Sequence, residues 1–233
     1  MRWIVMICVV VDIDDTLVIT DQRMQSIWQK ILDPRIPLKA VETMSLEQIF
    51  MKYASPEQKT RIGDFQKRFW DIVLCQEEVG IELLKLHKPI PHAADILQQW
   101  KKQAKLIYLT GRTENTRQLT LTELKHFNFP TINTELHMFK PQDYERARGT
   151  NPKGATLVEA KSQLLKKITE RDHVVRAIDD YPGYFTIYKQ HNIPDRIGLQ
   201  RQKRYPQEAY LGQGATRVIK SWKELENDPP KPA

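Results

Sequence analysis

The apolar positions of this chain follow two rhythms. Ile4–Val11 is an unbroken run rich in valine and isoleucine. With no polar alternation, it predicts a strand covered on both faces, as in a parallel sheet. From about residue 20 to 88 the spacing becomes helical. Ser55-Pro56 followed by Gln58 supplies an N-cap, a first-turn proline and a capping-box partner. Ile62, Phe65, Phe69, Ile72 and Val73 then recur on one helical face. Further helices are expected around Leu46–Tyr53 and Glu77–Leu86. Trp28, Phe50, Tyr53, Phe65, Phe69 and Trp70 fall within this stretch and read as core side chains instead of a ligand pocket.

After Pro89-Ile90-Pro91 the rhythm changes again. A helix over Ala93–Lys102 precedes a strand, Lys105–Leu109, and another helix starts after Thr113. A strand over Ile132–Met138, a helix over Ala155–Ile168 and a strand over Val174–Ile178 follow. Strands alternating with helices predict an α/β fold with a parallel sheet. The helical stretch interrupts that alternation, so the expected organisation is a catalytic core of residues 1–19 and 89–210 with a cap inserted at 20–88. Residues 211–233 are expected to form a C-terminal helix and a disordered tail, with Asp228–Ala233 disordered.

Composition narrows the possibilities. With 233 residues, 40% of them apolar and 28% charged, the chain can bury one sizeable core and is neither disordered nor membrane-bound. No apolar stretch is long enough to span a bilayer. Ile4–Val11 resembles the apolar part of a signal peptide, but it is short, lacks a small-residue cleavage site and runs straight into acidic residues. Two cysteines, Cys8 and Cys75, make no disulfide framework, and a cytoplasmic location is expected. The net charge of +7 favours anionic partners. It is not concentrated in a consecutive basic block, so nucleic acid is a possible but not a favoured partner. The histidines show no metal-ligand spacing, and oligomeric state is not legible.

The candidate chemistry sits where the apolar runs end. The first run leads into Asp12-Ile13-Asp14-Asp15-Thr16-Leu17. Open parallel sheets place ligand sites at the carboxyl ends of their strands. Two carboxylates this close repel, so a cation is a natural partner, and an oxygen-only environment favours magnesium. Acids in that position also commonly cap a loop or a helix. The second run ends in Thr110-Gly111-Arg112, a hydroxyl followed by a glycine that permits a sharp turn with exposed amides, suited to an anion. The fourth element, Val174–Ile178, ends in Asp179-Asp180. A phosphoryl site also needs a fixed positive charge. Lys161, in the amphipathic helix before Val174, is the first candidate and Lys140 the second.

The order Asp-x-Asp-x-Thr-Leu, apolar-Thr-Gly-Arg, Lys, apolar-Asp-Asp resembles the four-motif pattern of haloacid dehalogenase superfamily phosphatases, over residues 4 to about 195. The resemblance implies a Rossmann-like parallel sheet flanked by helices, with a helical cap inserted after the first strand. It implies that Asp12 is the nucleophile that forms an aspartyl-phosphate. Asp14 is implied as the acid and base, its backbone carbonyl also binding Mg2+. Thr110, Gly111 and Lys161 are implied to hold the phosphate, and Asp12, Asp14, Asp179 and Asp180 to surround the metal. The spacing from Lys161 to Asp179 and the Thr-Gly-Arg turn also resemble the phosphatase domain of polynucleotide kinase-phosphatases, although no kinase P-loop occurs here. Two departures stand out. Asp15 occupies a position where glycine is frequent, and no further acid closely follows Asp180.

The expected function is therefore a magnesium-dependent phosphomonoester hydrolase acting on a small phosphorylated metabolite or nucleotide. Competing expectations are a phosphatase of nucleic-acid ends, a phosphotransferase or mutase, and an inactive binding protein of the same fold.

Overall fold

A computed structural model gives the fold and describes residues 6–142, 155–201 and 204–231. The start of the first expected strand, at Ile4, and the final Pro232-Ala233 lie outside the described residues. The chain forms two compact units, one built on the segments up to Val18, Pro89–Arg201 and from Tyr205 onward, the other on Ile19–Lys88 together with Arg204. Among the described residues no helix is long and apolar enough to cross a membrane.

The first unit is a six-stranded parallel sheet. Its strands are β1 (Ile7–Val11), β4 (Lys105–Thr113), β5 (Thr134–Phe139), β6 (His173–Asp179), β7 (Asp195–Leu199) and β8 (Arg217–Ile219), in the order β5-β4-β1-β6-β7-β8. Two short strands between them in sequence, β2 (Val18–Ile19) and β3 (Lys88–Pro89), pair separately. β1 lies at the centre, and Val9, Val10 and Val11 are fully buried, which explains its uninterrupted apolar run. Its neighbours are β4 on one side and β6 on the other. The strand order therefore reverses direction at β1, and a crevice at a reversal point, beyond the carboxyl ends, is the general ligand position of such sheets. Val11 pairs with Tyr108 of β4 and with Ile178 of β6, so the residues just past these positions, Asp12, Leu109 and Asp179, stand side by side.

The helices of this unit include α7 (Ala93–Trp100), α8 (Arg117–His126) and α9 (Ala155–Thr169). Leu165 and Ile168 of α9 pack in a core with Cys8, Val10, Ile107, Leu109 and Ala177 from the sheet. Cys8 is buried, and loss of water pushes its thiol up to about 11, consistent with an inert side chain.

The second unit is helical: α1 (Asp21–Ile31), α2 (Leu38–Thr43), α3 (Leu46–Tyr53), α4 (Pro56–Lys59), α5 (Ile62–Val73) and α6 (Glu78–Glu82). Trp28, Phe50 and Phe69 are buried in its core, and Tyr53, Phe65 and Trp70 pack against them. Ser45 and Ser55 both close capping boxes, with Gln48 and Gln58. The helix that the Ser55 cap starts is short, however. It ends at Lys59, where the Thr60 hydroxyl donates to the Glu57 carbonyl at 2.7 Å, and a new helix begins at Ile62. A local hydroxyl bond of this kind competes with helix propagation.

The C-terminal segment departs from expectation. In place of a terminal helix and a disordered tail, α11 covers Gln207–Gly212, β8 joins the sheet beside β7, and a 3-10 turn covers Trp222–Leu225. Before α11 in the chain, α10 covers Phe185–Gln190. Charge pairing extends the order to Asp228. Arg176 of β6 donates to the Asp228 carbonyl at 2.7 Å and its carboxylate at 3.1 Å, while also holding Asp195 at 2.6 Å. Three-residue β8 is too short to show a period in sequence. Trp222 is fully buried, 5.9 Å from the Trp100 ring, and its indole N–H donates to the Thr16 carbonyl at 2.8 Å. This tryptophan ties the C-terminal segment to the loop that follows β1. Trp222→Ala is expected to destabilise the fold by about 3–5 kcal/mol in urea unfolding, through the cavity left and the bond lost. A change below about 1 kcal/mol would contradict the anchoring described here.

Candidate active site

The loop after β1 is wound tightly by its own backbone. The Ile13 carbonyl accepts from the amides of Thr16 at 3.3 Å, Leu17 at 2.7 Å and Val18 at 3.1 Å, and the Asp15 amide donates to the Val18 carbonyl at 2.8 Å. Asp15 takes a left-handed backbone at φ 58°, a conformation that favours glycine but that aspartate also tolerates. This accounts for an aspartate at a position where glycine is frequent. Its carboxylate pairs with Arg201.

Asp12 leaves the end of β1 with its amide donating to the Ile178 carbonyl of β6 at 3.0 Å. Lys161 meets it there. The lysine Nζ lies 2.9 Å from Asp12 Oδ1 and 2.6 Å from Asp179 Oδ2, and the side chain is fully buried. Lys161 is on the apolar face of α9 because it is three or four residues from Val158, Leu157, Leu164 and Leu165. Lys166 and Lys167 of the same helix are exposed, and so is Lys140. Nζ also sits 3.9 Å from the centre of the Tyr184 ring, a cation–π contact on the side the carboxylates leave open. Burial opposes its charge, but Asp12 and Asp179 outweigh that and hold its pKa well above the usual lysine value.

Asp179 is fixed from three directions. Besides Lys161, its Oδ2 accepts from the Tyr188 hydroxyl at 2.7 Å, and its Oδ1 accepts from the Tyr181 amide at 2.9 Å. Asp180 is positioned through its backbone: the Tyr210 hydroxyl donates to its carbonyl at 2.8 Å. Gly198 makes room for that tyrosine, since a Cβ there would lie 2.6 Å from the Tyr210 ring. The Thr16 hydroxyl lies 3.4 Å from both Asp12 Oδ2 and Asp180 Oδ1, bridging the two loops.

Asp12, Asp179 and Asp180 each offer a carboxylate oxygen within 4.8 Å of the others. Such a cluster carries more negative charge than Lys161 alone balances. Burial, with Asp179 and Asp14 adding to it, pushes Asp12 up to about 8 against the opposing pull of Lys161. Burial and the charges of Asp15, Asp179 and Asp12 raise Asp180 as well. A cation among the three would relieve both, and an all-oxygen donor set fits a hard divalent ion.

The Asp14 carboxylate is not one of these three. Arg112 holds it at two points, Nη2 to Oδ1 at 2.8 Å and Nε to Oδ2 at 3.0 Å. Arg112 also pairs with Glu123 at 2.6 Å and donates to the Thr120 hydroxyl at 3.2 Å, both from α8. Burial works against the guanidinium charge, but Asp14 and Glu123 more than offset it.

Thr110 is fully buried, and its hydroxyl oxygen accepts from the Arg112 amide at 3.2 Å. Where a sharp turn was expected at Gly111, β4 instead continues to Thr113 and bulges. Its pairing with β5 jumps from Leu109–His137 to Thr113–Phe139. One residue of β5, Met138, thus lies opposite three of β4, which releases Thr110, Gly111 and Arg112 from the ladder.

The structure therefore gathers Asp12, Lys161, Asp179 and Asp180, sets Thr110 and Gly111 at the end of the adjacent strand, and leaves Lys140 on the surface. Sequence reading placed Thr16 and Arg112 within its motifs without giving either a role, and missed Tyr184 and Tyr188. A signal for the tyrosines was present, since Tyr181, Tyr184 and Tyr188 recur at helical spacing immediately after Asp180.

No protein-family model and no curated protein matches this chain. Solved structures do. A haloacid dehalogenase-like family hydrolase from Streptococcus pneumoniae aligns at 14% identity over 94% of this chain and 96% of its own, with a TM-score of 0.60. A HAD-family hydrolase from Deinococcus radiodurans, solved with bound phosphate and sodium, aligns at 18% identity over 94% and 92%, with a TM-score of 0.55. A HAD-superfamily hydrolase of subfamily IA from Geobacter sulfurreducens aligns at 16% identity over 94% of each chain, with a TM-score of 0.55. The chain thus has the haloacid dehalogenase-like fold, as its motifs led one to expect.

Removing Lys161 tests the electrostatics independently of any reaction. Lys161→Ala leaves two carboxylates facing each other without their cation, and is expected to lower stability by about 3–5 kcal/mol in denaturant titration without added metal. An unchanged midpoint would show that the three groups do not interact as their distances indicate.

Proposed function

We propose that this protein is a magnesium-dependent phosphomonoester hydrolase that works through a phosphorylated Asp12, on a small phosphorylated metabolite or nucleotide. The observation that carries this reading is the meeting of Asp12, Lys161 and the Asp179-Asp180 pair at the carboxyl ends of two adjacent parallel strands. Thr110 lies on β4 on the other side, just past its last pairing with β1. The three fold neighbours described above are named as hydrolases, and the one from Deinococcus radiodurans holds phosphate.

Asp12, Asp179 and Asp180 would hold the magnesium ion, joined by the Asp14 carbonyl as the motif resemblance implies. Bound there, the ion would screen the charge between a carboxylate nucleophile and an anionic substrate. Every other part is played by the chain. The Lys161 ammonium and the Thr110 hydroxyl receive the phosphoryl oxygens, where fixed donors stabilise charge most effectively. An Asp12 oxygen attacks phosphorus, an O–P bond forms, and the ester P–O bond of the substrate breaks. Asp14 gives a proton to the departing alcohol oxygen and then takes one from the water that hydrolyses the aspartyl-phosphate. The two-point Arg112 pair favours the ionised form of Asp14, which is the form that activates water. The acid step then requires Asp14 to come off Arg112 in its protonated form. The covalent intermediate splits one difficult displacement into two easier ones.

The test is phosphate release from a generic aryl phosphate, with and without Mg2+. Wild-type protein is expected to show metal-dependent release, and Asp12→Asn to reduce it by about 10,000-fold or more, the scale at which removal of a nucleophile acts. Release that is indifferent to this substitution would rule out the proposed chemistry.

A further inference from the structure

Beyond the phosphate pocket, one group of side chains has no part in the chemistry above. Tyr181 follows Asp180 directly, and its amide is held by Asp179 at 2.9 Å. The residue is nevertheless 40% exposed. The ring lies down on the backbone of Gly183, where an added Cβ would come within 2.6 Å of the ring carbon Cε1. Tyr184 meets it edgewise at 5.1 Å between centroids, and Tyr205 does the same at 5.7 Å. Tyr184 and Tyr205 themselves pack on the core of the unit. Tyr181 is therefore a large ring fixed by a glycine and two aromatic neighbours yet left open to solvent. Holding an aromatic side chain in one position while exposing it prepares a stacking surface, because the ordering has already been done in the folded chain.

We infer that Tyr181 forms a stacking platform for the base of a nucleoside monophosphate, which names the substrate class within the phosphatase reading on which this inference rests. The order of rings sets the distance. Lys161, where the phosphoryl group would sit, touches Tyr184 at 3.9 Å, and Tyr181 meets the Tyr184 ring at 5.1 Å. A substrate reaching both needs its flat ring separated from phosphorus by a spacer. A sugar supplies that spacer, whereas an aryl phosphate carries its ring directly on the ester oxygen. Recognition by stacking on a tyrosine is tolerant of base identity, since every base presents a π-face.

The probes are adenosine 5′-monophosphate, ribose 5-phosphate and phenyl phosphate, measured both as kcat/KM in Mg2+ and as binding to the Asp12→Asn protein by calorimetry. Adenosine monophosphate is expected to be preferred over ribose 5-phosphate by about 10-fold or more, the scale of one stacked base. Tyr181→Ala is expected to remove most of that preference, through KM and not kcat, while Tyr181→Phe retains it. Gly183→Ala, which pushes the ring off its seat, is expected to reduce the preference as well. Equal affinity for the nucleotide and the sugar phosphate, a preference for phenyl phosphate, or a Tyr181→Ala variant that keeps the preference would each overturn the inference. Turnover of ribose 5-phosphate without nucleotide preference would sink the platform and leave the phosphatase reading standing. Absence of turnover on all three would sink the phosphatase reading, and the binding measurement would still decide the platform.

Discussion

A lysine ammonium shut away from water between two carboxylates is the interaction on which this structure turns. Lys161 comes from the apolar face of a helix, Asp12 from the central strand and Asp179 from its neighbour. None of the three could be buried alone, because an isolated charge in such a place is expensive to desolvate. Together they lock the helix to the sheet and fix the register in which β1 and β6 end. The same contacts leave an excess of negative charge at Asp12 and Asp180, which makes the pocket receptive to a cation and then to an anionic ligand. The electrostatic need of the folded state and the proposed chemistry are thus two aspects of one arrangement.

Around that centre, groups near and far in sequence do the positioning. Tyr188 and the Tyr181 amide hold Asp179, Tyr210 holds the Asp180 backbone, and Trp222 holds the loop that carries Asp14 and Thr16. Arg112 fastens Asp14 to α8 through Thr120 and Glu123. Apart from the Tyr181 amide, each of these is a directional bond from a large, buried side chain, so the pocket is held by the rigid parts of the unit. The C-terminal segment belongs to this support, which explains why it is ordered as far as Asp228.

What was legible in the sequence follows from which signals are local. β1 and β6 were visible because strands covered on both faces need continuous apolar runs, and acids at their ends stand out against them. Lys161 was readable because a lysine on an apolar helical stripe is out of place unless it has a buried partner. The capping serine at Ser55 was found, but the break at Thr60 was not, since it depends on a side chain satisfying a carbonyl that the helix would otherwise use. The bulge in β4 at Thr110–Arg112 is a property of two strands, and no single strand records it. Arg112 and the tyrosines acquire their partners only through tertiary register. β8 and Trp222 sit in a segment whose order comes from long-range charge pairs and one indole bond, features that composition cannot display.

The claim at the centre of this account is that Asp12 itself becomes phosphorylated. The direct measurement is acid quenching of the protein during turnover of an activated phosphomonoester, followed by peptide mass spectrometry. The account predicts a phosphoryl adduct on the peptide that contains Asp12, localised to that residue and absent when the protein is incubated with phosphate-free alcohol. An adduct on any other side chain, or continued turnover with no covalent adduct at all, would contradict it.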